Sequence, residues 1–478
     1  MERTKGIPYK WLALLTVAIG TFMGTLDASI VNISLPRLTQ VFNTEPSIVL
    51  WVSVSYLLVS VSLMLTLGRI GDVLGRKRVY IAGFVLFTIG LTLCSLSQNI
   101  TQLILSRVIQ AVGSSMTVAI STAIVTAVFP SQERGKALGI LGGVVSAGLL
   151  SGPVIGGILL DALDWRAIFY TRVPVGIIGI VMAGTLLKEQ RDSTTVFKFD
   201  LAGAITLFGG LSCLLLFFNI GGRTGFSSMS ALALAGSTVL LLALFIFFER
   251  RARQPIVDLN LFRNRPFAFG IISLIIMFVA ISANTFLMPF YLINGLGHSA
   301  SKTGLIFASI SCTAIIVGPL SGWLSDKIGS RVLCTIGMAL ICTALFLLSR
   351  LSIESSEVDV LFRLVIQGIG SGMFSSPNNS TIMGSIPREK LSTGSAMIGT
   401  VRQIGMSSGI AVAGAIFTSR QVFHANQLVD KNLEPLMLSK LSLISGFQDT
   451  LLIGSIVCSI AILTSLVRGK HQPNHTGS

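Results

Sequence analysis

Runs of about twenty apolar residues recur along almost the whole chain, and each is long enough to cross a bilayer as a helix. Few folds can accommodate them. In lipid every backbone polar group must be satisfied within the spanning structure, which only helices or closed barrels achieve, and these runs have helical length. Fourteen candidate crossings result, at residues 11–35, 48–67, 79–97, 101–126, 137–160, 165–187, 200–220, 229–248, 266–293, 303–323, 331–350, 358–383, 392–418 and 446–468. Only 12% of the 478 residues are charged, against about 25% in soluble domains. The chain is therefore expected to be an all-α polytopic membrane protein.

The net charge of +15 could suggest nucleic acid, but the positive residues fall in short loops between apolar runs rather than on one face. Counted from a cytoplasmic start, inner segments hold 23 Lys and Arg and outer loops hold 8. That asymmetry places both termini in the cytoplasm and requires an even number of crossings. The first run lacks a small-residue cleavage site, so it is expected to stay in the membrane. The six cysteines form no CxxC, and most lie inside apolar runs, which indicates neither a disulfide framework nor a metal site.

An internal repeat divides the chain. GRIGDVLGRKR at 68–78 is echoed by GWLSDKIGSR at 322–331, and SRVIQAVGSSM at 106–116 by RLVIQGIGSGM at 363–373. The offsets are 254 from Asp72 to Asp326 and 257 from Gln110 to Gln367. Duplication predicts a cytoplasmic N-terminus at 1–10, a six-helix bundle at 11–187, an inserted helix pair at 200–248, a second six-helix bundle at 266–468 and a tail at 469–478. Parallel halves of this kind bind substrate between them near the membrane midplane.

Within FMGTLDASIVNISLP, residues 22–36, Asp27 is a carboxylate inside an apolar run. A charge at the bilayer centre costs about 3 kcal/mol even on lenient insertion scales, which makes the acid a functional candidate. It is the only acid deep in any of the fourteen spans. Arg107 lies about 9 Å into its helix from the outside, a height comparable to that of Asp27. Burial favours a protonated carboxyl and a nearby guanidinium favours the ionised one, so movement of Arg107 would load or discharge a proton. The alternative is a purely structural ion pair. Competition of proton and substrate for this one charge would by itself produce exchange.

Other polar residues in spans are cavity candidates: Asn32, Gln110, Arg172, Asn284, Asn378, Asn379, Arg402 and Gln403. Taken singly, such residues more often satisfy a helix–helix hydrogen bond than contact a ligand. Trp51, Tyr56, Phe286, Phe290, Tyr291 and Phe374 could stack on a flat substrate or simply pack. In the loop carrying Gly68, Asp72, Gly75 and Arg76, an acid gains nothing from membrane orientation, so a breakable latch is expected there and at Asp326 and Arg331. Residues 148–157, GLLSGPVIGG, place Gly148, Gly152 and Gly156 on one helix face, with Pro153 and Gly157 beside them. Such a stripe lets a neighbouring helix approach closely, and the proline bends its own helix.

These segments carry a resemblance. GRIGDVLGRKR resembles the loop 2–3 signature of the major facilitator superfamily, SRVIQAVG its helix 4 arginine motif, and GLLSGPVIGG its GxxxGPxxGG antiporter motif. With LDASIVNISLP, PIVDLNLFRNRPF and SSPNNSTIMGSIP, the chain is similar to the fourteen-spanner drug:proton antiporters of the QacA/EmrB type. The resemblance implies two six-helix bundles plus two inserted helices, and export of lipophilic drugs in exchange for protons by a monomer in the cytoplasmic (inner) membrane. Protons, a lipophilic small molecule and membrane lipids would be its partners, with no nucleic acid and no cofactor. It also implies a role for Arg402, whose surroundings TVRQIGMSSG resemble the family's helix 13 pattern. At Arg172 the sequence TRVPVG departs from the family's usual INVPIG. The excess of deep arginines tilts the cavity positive and makes a dication the least suitable substrate. A carrier of a physiological lipid, metabolite or signalling molecule shares every one of these motifs. A membrane enzyme does not fit, because His298, His424, His471 and His475 all fall in loops or the tail.

Overall fold

Backbone hydrogen bonding continues past the apolar runs in most places, so the helices outrun the segments that lipid alone would demand. A computed structural model describes residues 8–130, 133–189, 200–252, 259–386, 391–428 and 434–467. Its long helices are α1 (Tyr9–Val41), α2 (Trp51–Leu74), α3 (Arg76–Leu96), α4 (Ile100–Val128), α5 (Arg134–Ala162), α6 (Val173–Leu186) and α7 (Leu201–Thr224). They continue as α8 (Met229–Arg251), α9 (Arg265–Phe290), α10 (Ala300–Ile328), α11 (Ser330–Leu348), α12 (Glu357–Gly384), α13 (Leu391–Leu428) and α14 (Pro435–Val467). Among the described residues there is no strand.

Thirteen of the fourteen are long and apolar enough to cross a membrane. The exception is α13, which carries Arg402, Gln403, Arg420 and His424 along its length. Its outer end and that of α14 extend well beyond the expected 392–418 and 446–468. Asp449 accepts from Arg420 Nε at 2.6 Å and lies 2.8 Å from His424 Nε2, tying α14 to the part of α13 that runs past residue 418.

The expected continuous span 165–187 is broken. Ala167–Tyr170 forms one helical turn, and α6 begins at Val173 with Pro174 in its first turn. Proline suits a helix start because its missing N–H would have no partner there. Arg172 thereby becomes the residue preceding α6.

The chain forms two compact units, Met1–Phe208 with Leu244–Ile256, and Gly209–Ala243 with Val257–Ser478, and the division passes through α7 and α8. In the first unit α1 packs on α4, α5 and α6, α3 packs on α4 and α6, and α2 packs on α4. The second unit repeats this helix for helix: α9 packs on α12, α13 and α14, α11 packs on α12 and α14, and α10 packs on α12. The repeated sequence thus has a repeated packing plan. The turns opening α3 and α11 share a backbone device as well, since Gly75 and Gly329, 254 residues apart, have φ of +103° and +87°. A side chain is strained in that region, which accounts for glycine at both places.

Candidate functional site

Three helices of the first unit converge on Asp27, whose side chain is wholly buried. Arg107 and Gln110 lie three residues apart on α4 and so share one face of that helix. Arg107 Nη1 is 2.5 Å from Asp27 Oδ2, and Gln110 Nε2 donates to Asp27 Oδ1 at 2.8 Å. Arg172, the residue preceding α6, brings Nη1 to 2.5 Å from the same Oδ1. Arg172 is therefore a paired charge, while Asp164, nearby in sequence, pairs with Arg166 at 3.2 Å.

The guanidiniums are themselves held in place. Arg107 donates from Nη1 to Gln110 Oε1 at 2.7 Å and from Nε to the Val52 carbonyl at 3.0 Å. Its Cζ lies 4.1 Å from the centroid of the Tyr56 ring, a cation–π contact, and the Tyr56 hydroxyl is hydrogen-bonded to Ser114 at 2.7 Å. Arg172 Nε donates to the Ile168 carbonyl at 2.6 Å, while its buried Nη2 has no hydrogen-bond partner among the described residues. One carboxylate faces two guanidiniums, so the cluster carries a net positive charge. Both carboxylate oxygens are engaged, Oδ2 by Arg107 and Oδ1 by Gln110 and Arg172.

Helix α5 holds the other side of α1. Space for a Cβ on Gly148 is already filled by Thr25, on Gly152 by Ser29, and on Gly156 by Ile30, all close to Asp27 in sequence. Ser29 Oγ also donates to the Gly148 carbonyl at 3.4 Å. Helix α5 runs through Pro153 without interruption, and Pro153 and Gly157 are buried with the stripe.

Asn32 lies apart from the cluster, with Oδ1 accepting from Ser53 at 3.1 Å and Nδ2 donating to the Ala28 carbonyl at 3.4 Å. The remaining cavity candidates belong to the second unit. Asn284 Nδ2 donates to Gln367 Oε1 at 2.8 Å, and Asn378 Nδ2 to the Gly270 carbonyl at 3.3 Å. Asn379, Arg402 and Gln403 make no such helix–helix bond among the described residues. Of the aromatic candidates, Tyr56 alone touches the cluster, while Trp51 is only half-buried. Phe286 and Phe290 pack edge to face, Tyr291 stacks on Phe447 at 4.7 Å, and Phe374 is buried in α12.

At the expected latch, Arg76 Nη1 donates to the Ala123 carbonyl of α4 at 3.2 Å. Arg78 Nε approaches Glu189 at 3.6 Å, a residue the latch reading did not include. Arg331 is exposed. The side chains of Asp72 and Asp326, and the surroundings of Gly68, lie outside the described residues.

Comparison with known proteins agrees with this architecture. The Major Facilitator Superfamily matches residues 17–410. The riboflavin transporter RibZ of Clostridioides difficile is 35% identical over 415 residues, 87% of this chain and 90% of its own length. The multidrug resistance protein Stp of Mycobacterium tuberculosis (strain CDC 1551 / Oshkosh) is 31% identical over 85% of this chain and 76% of its own. The multidrug transporter protein MdtP of Bacillus subtilis is 30% identical over 88% and 77%. Among solved structures, a bacterial homologue of the human lysosomal transporter Spinster superposes with a TM-score of 0.66 at 14% identity, covering 98% of this chain and all of its own.

Proposed function

The chain belongs to the Major Facilitator Superfamily of membrane transporters, and on that premise we propose that it is a proton-coupled antiporter. It exports a lipophilic compound across the cytoplasmic membrane by alternating access, with Asp27 as the coupling carboxylate. One observation carries this reading: Asp27, fully buried, is held by Arg107 and Arg172 from two different helices. A carboxylate shared among α1, α4 and α6 changes its partners whenever those helices shift against one another. Withdrawal of an arginine opens an oxygen to a proton, and its return expels that proton, so helix movement and proton transfer are linked.

Export of drugs is supported by the similarity to Stp and MdtP, both named for multidrug resistance or transport. The similarity to a riboflavin transporter favours a second reading, a carrier of a flat physiological metabolite, with the same coupling site. Transport by purified protein in liposomes with an imposed pH gradient tests the coupling. Gradient-driven flux in wild type and its loss in Asp27→Asn support it. Absence of any pH-dependent flux in wild type overturns it.

A further inference from the structure

A second level of unmet polar capacity lies in the other unit, around Arg402. Arg402 stands mid-helix in α13 and has no hydrogen-bond or ion-pair partner among the described residues, nor does any charged side chain act on it. Among the described residues, three arginines set further into spans than the helix ends are paired: Arg107 and Arg172 with Asp27, and Arg363 with Asp359 at 2.6 Å. Arg402 is not alone in lacking partners. The buried Thr400 Oγ1, two residues earlier on α13, has none, and neither does the buried Asn379 Oδ1 on α12.

Helix α9 shows that these groups share a level. Gly405 of α13 lies against Ile275 and Phe278, which puts Arg402, one turn below it, beside the residues just before Ile275. Asn378, the neighbour of Asn379, donates to the Gly270 carbonyl of the same helix. The helix positions of Arg402, Thr400 and Asn379 therefore lie within about one helical turn of one another in height. An arginine with no counter-charge inside a span is costly, and structures keep one there when something else supplies the charge. A guanidinium offers five donors in a planar fork that suits a carboxylate, phosphonate or sulfonate.

We propose that Arg402 is the recognition group for an anionic lipophile, whose acidic head it pairs. This rests on the antiport reading above but separates its two tasks. The proton belongs to Asp27 in the first unit and the substrate's charge to Arg402 in the second, so the two do not compete for one carboxylate. Export of a monoanion against one entering proton moves two charges in the same electrical sense. An interior-negative potential then drives transport together with the pH gradient.

Three fluorescent probes that differ only in the charge of the head test this on purified, full-length protein: dansylglycine, its neutral amide dansylglycinamide, and the cation dansylethylenediamine. Expected are binding of dansylglycine at least tenfold tighter than of either analogue, collapse of that preference in Arg402→Gln, and partial retention in Arg402→Lys. Equal binding of the three probes by wild type, or undiminished dansylglycine preference in Arg402→Gln protein that remains monodisperse, overturns the assignment. In liposomes, dansylglycine flux driven by the pH gradient is expected to quicken when an interior-negative potential is added. If dansylglycine binds through Arg402 but no gradient drives its flux, the antiport reading falls and the recognition site stands. If the gradient drives flux of the neutral or cationic probe and Arg402→Gln changes binding of none, the recognition site falls and the antiport reading stands.

Discussion

Asn284 holds in the second unit the repeat position that Asp27 holds in the first. The two are 257 residues apart, as are Gln110 and Gln367, and each pairs with its own glutamine at 2.8 Å. Position 364, which corresponds to Arg107, is leucine. The duplicated scaffold thus keeps the amide contact in both units and places the charge in one. Asn284→Asp would bury a carboxylate with a glutamine but no guanidinium at the matching place. A loss of about 3 kcal/mol or more is expected, read as a lowered unfolding temperature in detergent. An unchanged midpoint would mean that a cation outside the repeat relation reaches residue 284.

Removing the acid differs from removing one of its partners. Asp27→Asn strands two buried guanidiniums and is expected to cost about 3–5 kcal/mol as well as gradient-driven transport. Arg172→Asn leaves Arg107 and Gln110 on the carboxylate but no arginine on Oδ1, so a smaller loss of stability and a weakened rather than abolished coupling are expected. Thermal unfolding and pH-driven uptake, measured on both variants, separate the two cases.

Tyr56 tests whether the ring or the hydroxyl matters to Arg107. Tyr56→Phe keeps the cation–π face and loses the bond to Ser114, and it is expected to transport nearly as wild type. Tyr56→Leu removes the face and is expected to cost about 1–2 kcal/mol and to slow transport. Parallel unfolding curves and initial rates provide the comparison.

The stripe on α5 makes a steric prediction. A side chain at Gly152 meets Ser29 and the Ile30 backbone, so Gly152→Val is expected to destabilise by about 1–3 kcal/mol and to impair transport. Gly142, on the same helix, has open space around it, and Gly142→Ala is expected to leave both properties unchanged. Equal effects of the two substitutions would show that helix propensity, not the contact with α1, sets the outcome.

His298, in the turn before α10, predicts a pH response outside the spans. Burial, and then the Lys302 ammonium, hold its imidazole below the usual 6.5, against the opposing pull of Glu357. Because the folded form binds the proton less readily than the unfolded chain, stability from this group is complete above pH of about 6.5 and declines as pH falls through it. The unfolding temperature is expected to drop less between pH 7.5 and 5.5 in His298→Gln than in wild type. An identical drop in the two would exclude His298 as a contributor.

Much of this architecture is legible in the residues themselves. Fourteen helices could be counted because lipid imposes a length and an apolarity that few other contexts demand, and Asp27 stood out as the acid inside one of them. The partnership of Asp27 with Arg172 was not legible, although both charges were. It depends on the chain breaking at Thr171 and Arg172, for which Pro174 was the available signal, and on a contact 145 residues long that no local pattern encodes. The outward extension of α13 and α14 was hidden for another reason. Hydropathy marks where lipid ends, and it does not register contacts such as those of Asp449 with Arg420 and His424, which join the two helices past that point.

The contact between α5 and α1 has a mechanical consequence. Because glycine backbone lies directly against the turns that carry Thr25, Ser29 and Ile30, there is little slack between the two helices, and a tilt of one is passed to the other. Asp27 therefore rides on a paired strut, whereas Arg107 and Arg172 stand on separate supports. Under the proposed coupling, rocking of the paired strut would shift the acid against its arginines, and the spacing of charge within the first unit would read out its posture.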